Sequence, residues 1–266
     1  MLRVHPDLSD DRLLQLFERA TERQWPSSLL DWTETETWNR RDLDALAAML
    51  TPVYLGEQTA MLGVSQVLQK LMLGREPEGA LYLSSMGLDE ARHFRNLARF
   101  YRTNGVEPWQ TRRLPEMWAY HTRLMKSGDP IDWLWGILIS DLFARLFYGK
   151  LAQQYPDQVI GRLARRTLVD EARHQAFADI YLTPRLVSIG EERRQALLAL
   201  RDDLFRSMEA LTHRLEGPLG DLGWSGHQFL KDLWNDTETW AARINLKPKD
   251  APADALPESV LTKASV

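Results

Sequence analysis

The chain contains the string Asp89-Glu90-Ala91-Arg92-His93, and contains it again as Asp170-Glu171-Ala172-Arg173-His174. In each copy a glutamate stands three residues before a histidine. On an α-helix such residues are neighbours on one face. A carboxylate oxygen and an imidazole nitrogen can then reach one metal ion together. A single Glu-x-x-His is weak evidence, because the pair arises by chance on solvated helix faces. Two copies identical over five residues, each inside a strongly helical stretch, point to a pair of metal-binding helices.

Working outward, the first motif lies in a helical stretch from Ala80 to Thr103, ended by Asn104-Gly105. The second lies in a stretch from Val159 to Leu182, closed by Pro184. Before the first motif comes the loop Gly74-Arg75-Glu76-Pro77-Glu78-Gly79. Before that loop Arg41 to Leu73 reads as helix, with a break expected near Thr51 because Pro52 follows. Before the second motif, Asp129-Pro130 opens a helix that runs to about Gln154 and turns at Tyr155-Pro156-Asp157. That helix is apolar nearly all round, so it is a buried one. The flanks are helical too: Ser9 to Glu22 with Ser9 as N-cap, Ser188 to Glu216, and Trp224 to Arg243. A segment with Pro108, Trp109, Pro115 and Trp118 reads as a short helix crossing the bundle. Trp25, Trp32 and Trp38 read as aromatic filling between surface and core. Strand-like alternation is absent. The fold class is all-α, a four-helix bundle core of up-down antiparallel hairpins with additional helices. Residues 1–247 form one domain with its core at about 38–183, and 248–266, rich in Pro and Ala, form a disordered tail.

Composition narrows the chemistry. The formal net charge of −4 gives no argument for nucleic acid. The absence of cysteine excludes disulfides, zinc-thiolate sites and cysteine-held iron–sulfur clusters. Any redox chemistry must therefore use oxygen and nitrogen ligands. The start, Met1-Leu2-Arg3-Val4-His5-Pro6-Asp7, has no apolar signal core, and no uncharged run is long enough to span a bilayer. The cytoplasm is the expected location.

Two Glu-x-x-His pairs match a known template, the di-metal carboxylate site in which the other two helices of a bundle each add one carboxylate. Hairpin geometry selects those two. In an antiparallel hairpin, residues equidistant from the turn lie at the same height. Glu57 and Glu90 are centred on the loop beside Gly74, and Asp141 and Glu171 on the turn at Pro156. Asp132 misses that centre and is explained by helix capping. Glu57 shares its face with Tyr54, Met61 and Val64, where a bare carboxylate is costly; the alternative is a glutamate at the polar edge of the helix. The ligand set is Glu57, Glu90, His93, Asp141, Glu171 and His174. Four carboxylates and two imidazoles suit two iron ions, or iron with manganese. Without metal, the carboxylates would repel and several would take up protons.

From about Trp38 to Leu182 the chain resembles the ferritin-like di-iron carboxylate oxygenases. The Asp-Glu-x-Arg-His form is similar to that in hydroxylase subunits of bacterial multicomponent monooxygenases, the methane, phenol and toluene group, and to that of acyl-carrier-protein desaturases. The resemblance implies O2 activation at a di-iron centre and oxidation of a small organic substrate. It implies that Asp89 and Asp170 each bond the metal-bound histidine of the other motif; the alternative is a surface salt bridge to a nearby arginine. Three departures stand out. Asp141 occupies a position where those monooxygenases have glutamate. Arg145 follows one turn later in place of a small hydroxyl residue; it either pairs with Asp141 or sits at the pocket edge as a contact for an anionic substrate. Leu97 stands where ribonucleotide reductase small subunits carry a radical tyrosine, although Tyr54, Tyr82, Tyr101 and Tyr148 are present.

The expected function is an O2-dependent hydroxylase, desaturase or N-oxygenase of monooxygenase type. The chain has no Gly-rich dinucleotide fingerprint, so electrons must come from a separate ferredoxin or reductase. A homodimer or a hetero-oligomer is the expected assembly. Two other readings stand beside it: an iron- or peroxide-handling protein like ferritins and rubrerythrins, and a non-catalytic structural or regulatory subunit on the same fold.

Overall fold

In the computed structural model, residues 8–33, 38–248 and 254 are described. The expectations for Met1 to Asp7, and for the tail beyond Pro248 apart from Asp254, lie outside them. Nine α-helices lie among the described residues: α1 (Asp11–Glu22), α2 (Arg40–Leu73), α3 (Pro77–Asn104), α4 (Pro115–Ser127), α5 (Pro130–Gln154), α6 (Val159–Leu186), α7 (Glu191–Arg214), α8 (Glu216–Asp221) and α9 (Gly226–Arg243). No strand lies among them. Among the described residues no helix is long and apolar enough to cross a membrane.

Helices α2 and α3 form one hairpin and α5 and α6 the other, and the hairpins pack through α2 on α5 and α3 on α6. At the first of these contacts Gly63 lets the α5 helix approach closely, since a Cβ there would meet the Trp133 ring 2.0 Å away. α1 lies across both motif helices, and α4, α7 and α9 pack against α5. The buried apolar residues make one contiguous cluster.

Three expectations about ends and breaks are corrected. Pro52 does not interrupt α2. Proline removes one N–H from the helix ladder, but side chains and a neighbouring segment grip this turn. Thr51 Oγ1 (2.8 Å) and Tyr101 Oη (3.0 Å) both donate to the Ala47 carbonyl, and the Trp109 amide donates to Thr51 Oγ1 at 2.9 Å. Pro184 likewise lies inside α6. Asp10, not Ser9, caps α1, accepting from Arg12 and Leu13 amides. The Ser9 amide is already committed to buried Glu78 at 2.6 Å, which ties the start of α1 to α3. At the far end, Asp254 lies against α9: its carbonyl accepts from Trp234 Nε1 at 2.9 Å and its amide donates to Glu238 at 2.8 Å.

Candidate metal centre

The motif faces of α3 and α6 meet in the middle of the bundle. Glu57, Glu90 and His93 each place one ligand atom within 4.8 Å of the others, and so do Asp141, Glu171 and His174. All six are buried; His93 is 0% and His174 1% exposed. The middle glutamates reach both groups. Glu90 lies 3.8 Å from His93 Nδ1 and 3.4 Å from His174 Nδ1, and Glu171 lies 3.9 Å and 3.5 Å from the same atoms.

The two imidazoles are held from behind and left open in front. His93 Nε2 is 3.0 Å from Asp170 Oδ2, and His174 Nε2 is 3.3 Å from Asp89 Oδ2. Each aspartate thus serves the histidine of the opposite helix. Both Nδ1 atoms, and Glu171 Oε2, are buried without a hydrogen-bond partner. Buried polar atoms are almost always satisfied. Unsatisfied nitrogens converging on carboxylate oxygens are the donor set of a metal ion, and the outward bond to a carboxylate is what orients a ligating histidine.

Behind the histidines the motif arginines close a buried charge ring. Arg173 Nη2 donates to Asp170 (2.5 Å) and Asp89 (3.1 Å), and Arg92 donates to Asp170 at 2.9 Å and also pairs with Asp89. Burial opposes ionisation of these aspartates. The bonds to His174 and the charge of Arg173 outweigh it for Asp89, which falls to about 2. Asp170 is held below the usual carboxylate range by the equivalent bond to His93 and by Arg173. The surface salt bridge considered for these aspartates is therefore corrected to a buried network.

Sequence reasoning missed two members of this network. Trp25 donates from Nε1 to Asp170 Oδ2 at 2.8 Å and lies under the Arg92 guanidinium, 4.6 Å from the ring centroid. Gln24 Nε2 donates to Asp89 at 2.9 Å, while its carbonyl oxygen accepts from Arg92. The aromatic seam was legible, but its hydrogen bond, which spans 145 residues, was not.

In front of the histidines lies a pocket to which α2, α3, α4, α5, α6 and α7 each contribute. Glu57, Glu90, Asp141 and Glu171 line it together with Val53, Met117, Ile137, Phe143, Met208 and Leu211. Arg145 is absent from its lining. Its guanidinium turns outward to Asp236 on α9, 2.6 Å away and partly exposed. Neither role expected for Arg145 is therefore present: spacing of one turn put it near Asp141, but α9 supplies a nearer, solvated acid. Arg145→Met should leave metal content unchanged and shift stability by no more than about 1 kcal/mol, as for an exposed pair. Metal analysis and denaturant unfolding check both.

The apo centre stores protons. Burial and the Glu57 charge push Glu90 up to about 7. Burial, with Glu171 nearby, holds Asp141 well above its ordinary range, and burial raises Glu171 despite His174. Burial opposes charge on His93 and His174, yet the surrounding carboxylates raise both well above 6.5. Each of these groups binds protons more tightly folded than unfolded. Their contribution to apo stability is full at low pH and falls as pH rises, for Glu90 between 4.5 and about 7. A metal ion must displace those protons. Calorimetry in buffers of different ionisation enthalpy should show net proton release on metal binding near pH 6.5, and affinity that grows with pH. Binding without proton release would contradict this electrostatic picture.

No protein-family model matches the chain, and no curated protein matches it. Solved structures do. A Synechococcus protein with aldehyde deformylating oxidase activity superposes with a TM-score of 0.70 at 15% identity, covering 85% of this chain and 98% of that one. A mutant R2-like ligand-binding oxidase with an anaerobically reconstituted Mn/Fe cofactor gives 0.74 at 16%, covering 88% and 94%. The dimanganese(II) NrdF of Streptococcus sanguinis gives 0.73 at 13%, covering 94% and 93%. At such identities the likeness speaks for architecture alone, and the chain shares the all-α, ferritin-like helical-bundle fold of these structures.

Proposed function

We propose that this chain is an O2-dependent oxidase of a small, uncharged organic substrate, using two iron ions or an iron–manganese pair and electrons from a separate donor. One observation carries the reading: two buried carboxylate–histidine triads, with both histidine Nδ1 atoms unsatisfied, stand beside a largely apolar pocket. Glu57, Glu90 and His93 would hold one ion, and Asp141, Glu171 and His174 the other, with Glu90 and Glu171 between them. Bound ions of this kind supply the redox chemistry that activates O2.

The chain's own residues do the rest. Asp89 and Asp170 hold the histidine rings with Nδ1 inward. Val53, Met117, Ile137, Phe143, Met208 and Leu211 exclude water from the pocket and favour hydrocarbon. Among the described residues no lysine or arginine lines it, which turns the substrate from anionic to uncharged. That the solved structures of the same fold include an aldehyde deformylating oxidase and an R2-like ligand-binding oxidase supports this reading at the level of reaction type.

Metal analysis of protein purified without added iron, then anaerobic ferrous titration and exposure to O2, tests it. Two ions per chain and O2 uptake are expected; a metal-free, O2-silent protein would sink the reading. Gly56 offers a finer probe. It lines the pocket beside Glu57, and a Cβ there meets nothing within 4 Å. Gly56→Leu should therefore intrude into the pocket, keep both ions, and cut oxidation of apolar probes such as toluene by about tenfold or more, since one misplaced methylene is worth that much. Unchanged turnover would mean that substrate approaches elsewhere.

A further inference from the structure

The geometry points to two unequal metal positions, with Tyr148 as the positioning residue that makes the Glu57–Glu90–His93 position the tighter one and the first to fill. The inference rests on the metal-centre reading above and adds an order of loading to it.

The two halves differ in how far they are already assembled. Tyr148 is fully buried on α5, and its phenol crosses to α2, donating to Glu57 Oε1 at 3.2 Å. The other oxygen, Oε2, faces His93 Nδ1 at 3.5 Å. One oxygen of Glu57 is thus restrained while the other is presented. In the second half, Asp141 is one methylene shorter, accepts no hydrogen bond among the described residues, and stays outside ion-pair distance of His174. His93 Nδ1 has three carboxylates within 3.9 Å: Glu57, Glu90 and Glu171. Among the described residues, His174 Nδ1 has the two shared ones, Glu90 and Glu171, within that distance. An ion entering the first position finds its donors in place, whereas one entering the second must draw Asp141 inward. Donors fixed beforehand bind more tightly than donors that must be ordered at the moment of binding.

Mn(II) is the probe, because it is stable in air and visible by electron paramagnetic resonance. Titration of the apo-protein should give a first step with a mononuclear spectrum and a weaker second step with a spin-coupled one. Tyr148→Phe removes one hydrogen bond to a charged group and should weaken the first step about tenfold, leaving the second where it was. Asp141→Glu restores the missing reach and should tighten the second step alone. Two equal steps in the unaltered protein, or a Tyr148→Phe effect spread evenly over both, would overturn the proposal. Absence of Mn(II) uptake would overturn the metal centre itself, and this proposal with it.

Discussion

Glu171→Ala is expected to leave the protein unable to retain either ion. Its carboxylate lies within 3.9 Å of His93 Nδ1 and within 3.5 Å of His174 Nδ1, so removing it strips a donor from both triads. Glu57→Ala is the contrast, because Glu57 approaches only His93 among the two histidines. Loss of an outer-shell partner alone typically costs about 10–100-fold in metal affinity, and loss of a shared charged ligand must exceed that. Mass-spectrometric metal analysis should find almost none in Glu171→Ala and up to one ion per chain in Glu57→Ala. One firmly held ion in Glu171→Ala would show that Glu171 serves a single position.

Asp170→Ala is expected to cost the apo-protein about 3–5 kcal/mol, the range for removing one partner from a buried ion pair. Asp170 is fully buried and receives bonds from Arg92, Arg173, Trp25 and His93. Its removal leaves Trp25 Nε1 without its acceptor and both guanidiniums with Asp89 as their remaining carboxylate in the ring. Denaturant unfolding measures the loss. The pH dependence follows from the depressed values of both ring aspartates. Their contribution is present above 3.8 and fades as pH falls through about 2 for Asp89, and lower still for Asp170. The unaltered apo-protein should therefore lose stability in acid more steeply than Asp170→Ala does. Parallel acid curves would mean that the ring contributes little.

The faces that carry the two carboxylate–histidine triads were readable because their information is local. Glu90 with His93, and Glu171 with His174, need only helical spacing, and hairpin symmetry about Gly74 and Pro156 carried that spacing to Glu57 and Asp141. What escaped was set by contacts distant in sequence. Arg145 was misplaced because its acid, Asp236, lies 91 residues away on another helix. Pro52 looked like a break because the amide of Trp109 and the phenol of Tyr101, which grip its turn, belong to later segments. The final helices differ for a simpler reason. Ser188 to Glu216 reads as one helix, but α7 ends at Arg214 and the short α8 begins at Glu216, with Pro218 in its first turn, where proline is tolerated.

The crossed bonding of the two motifs alters what a repeat means in this chain. Asp89 belongs functionally with His174, and Asp170 with His93, so neither five-residue string is a self-sufficient copy. Sliding α3 against α6 by a single turn, about 5.4 Å, would separate both crossed pairs at once and leave two buried carboxylates facing the wrong partners. The strings therefore act as a register key. They favour one alignment of the two hairpins, and a chain that lost either string would lose the alignment signal together with half of the carboxylate–histidine cluster.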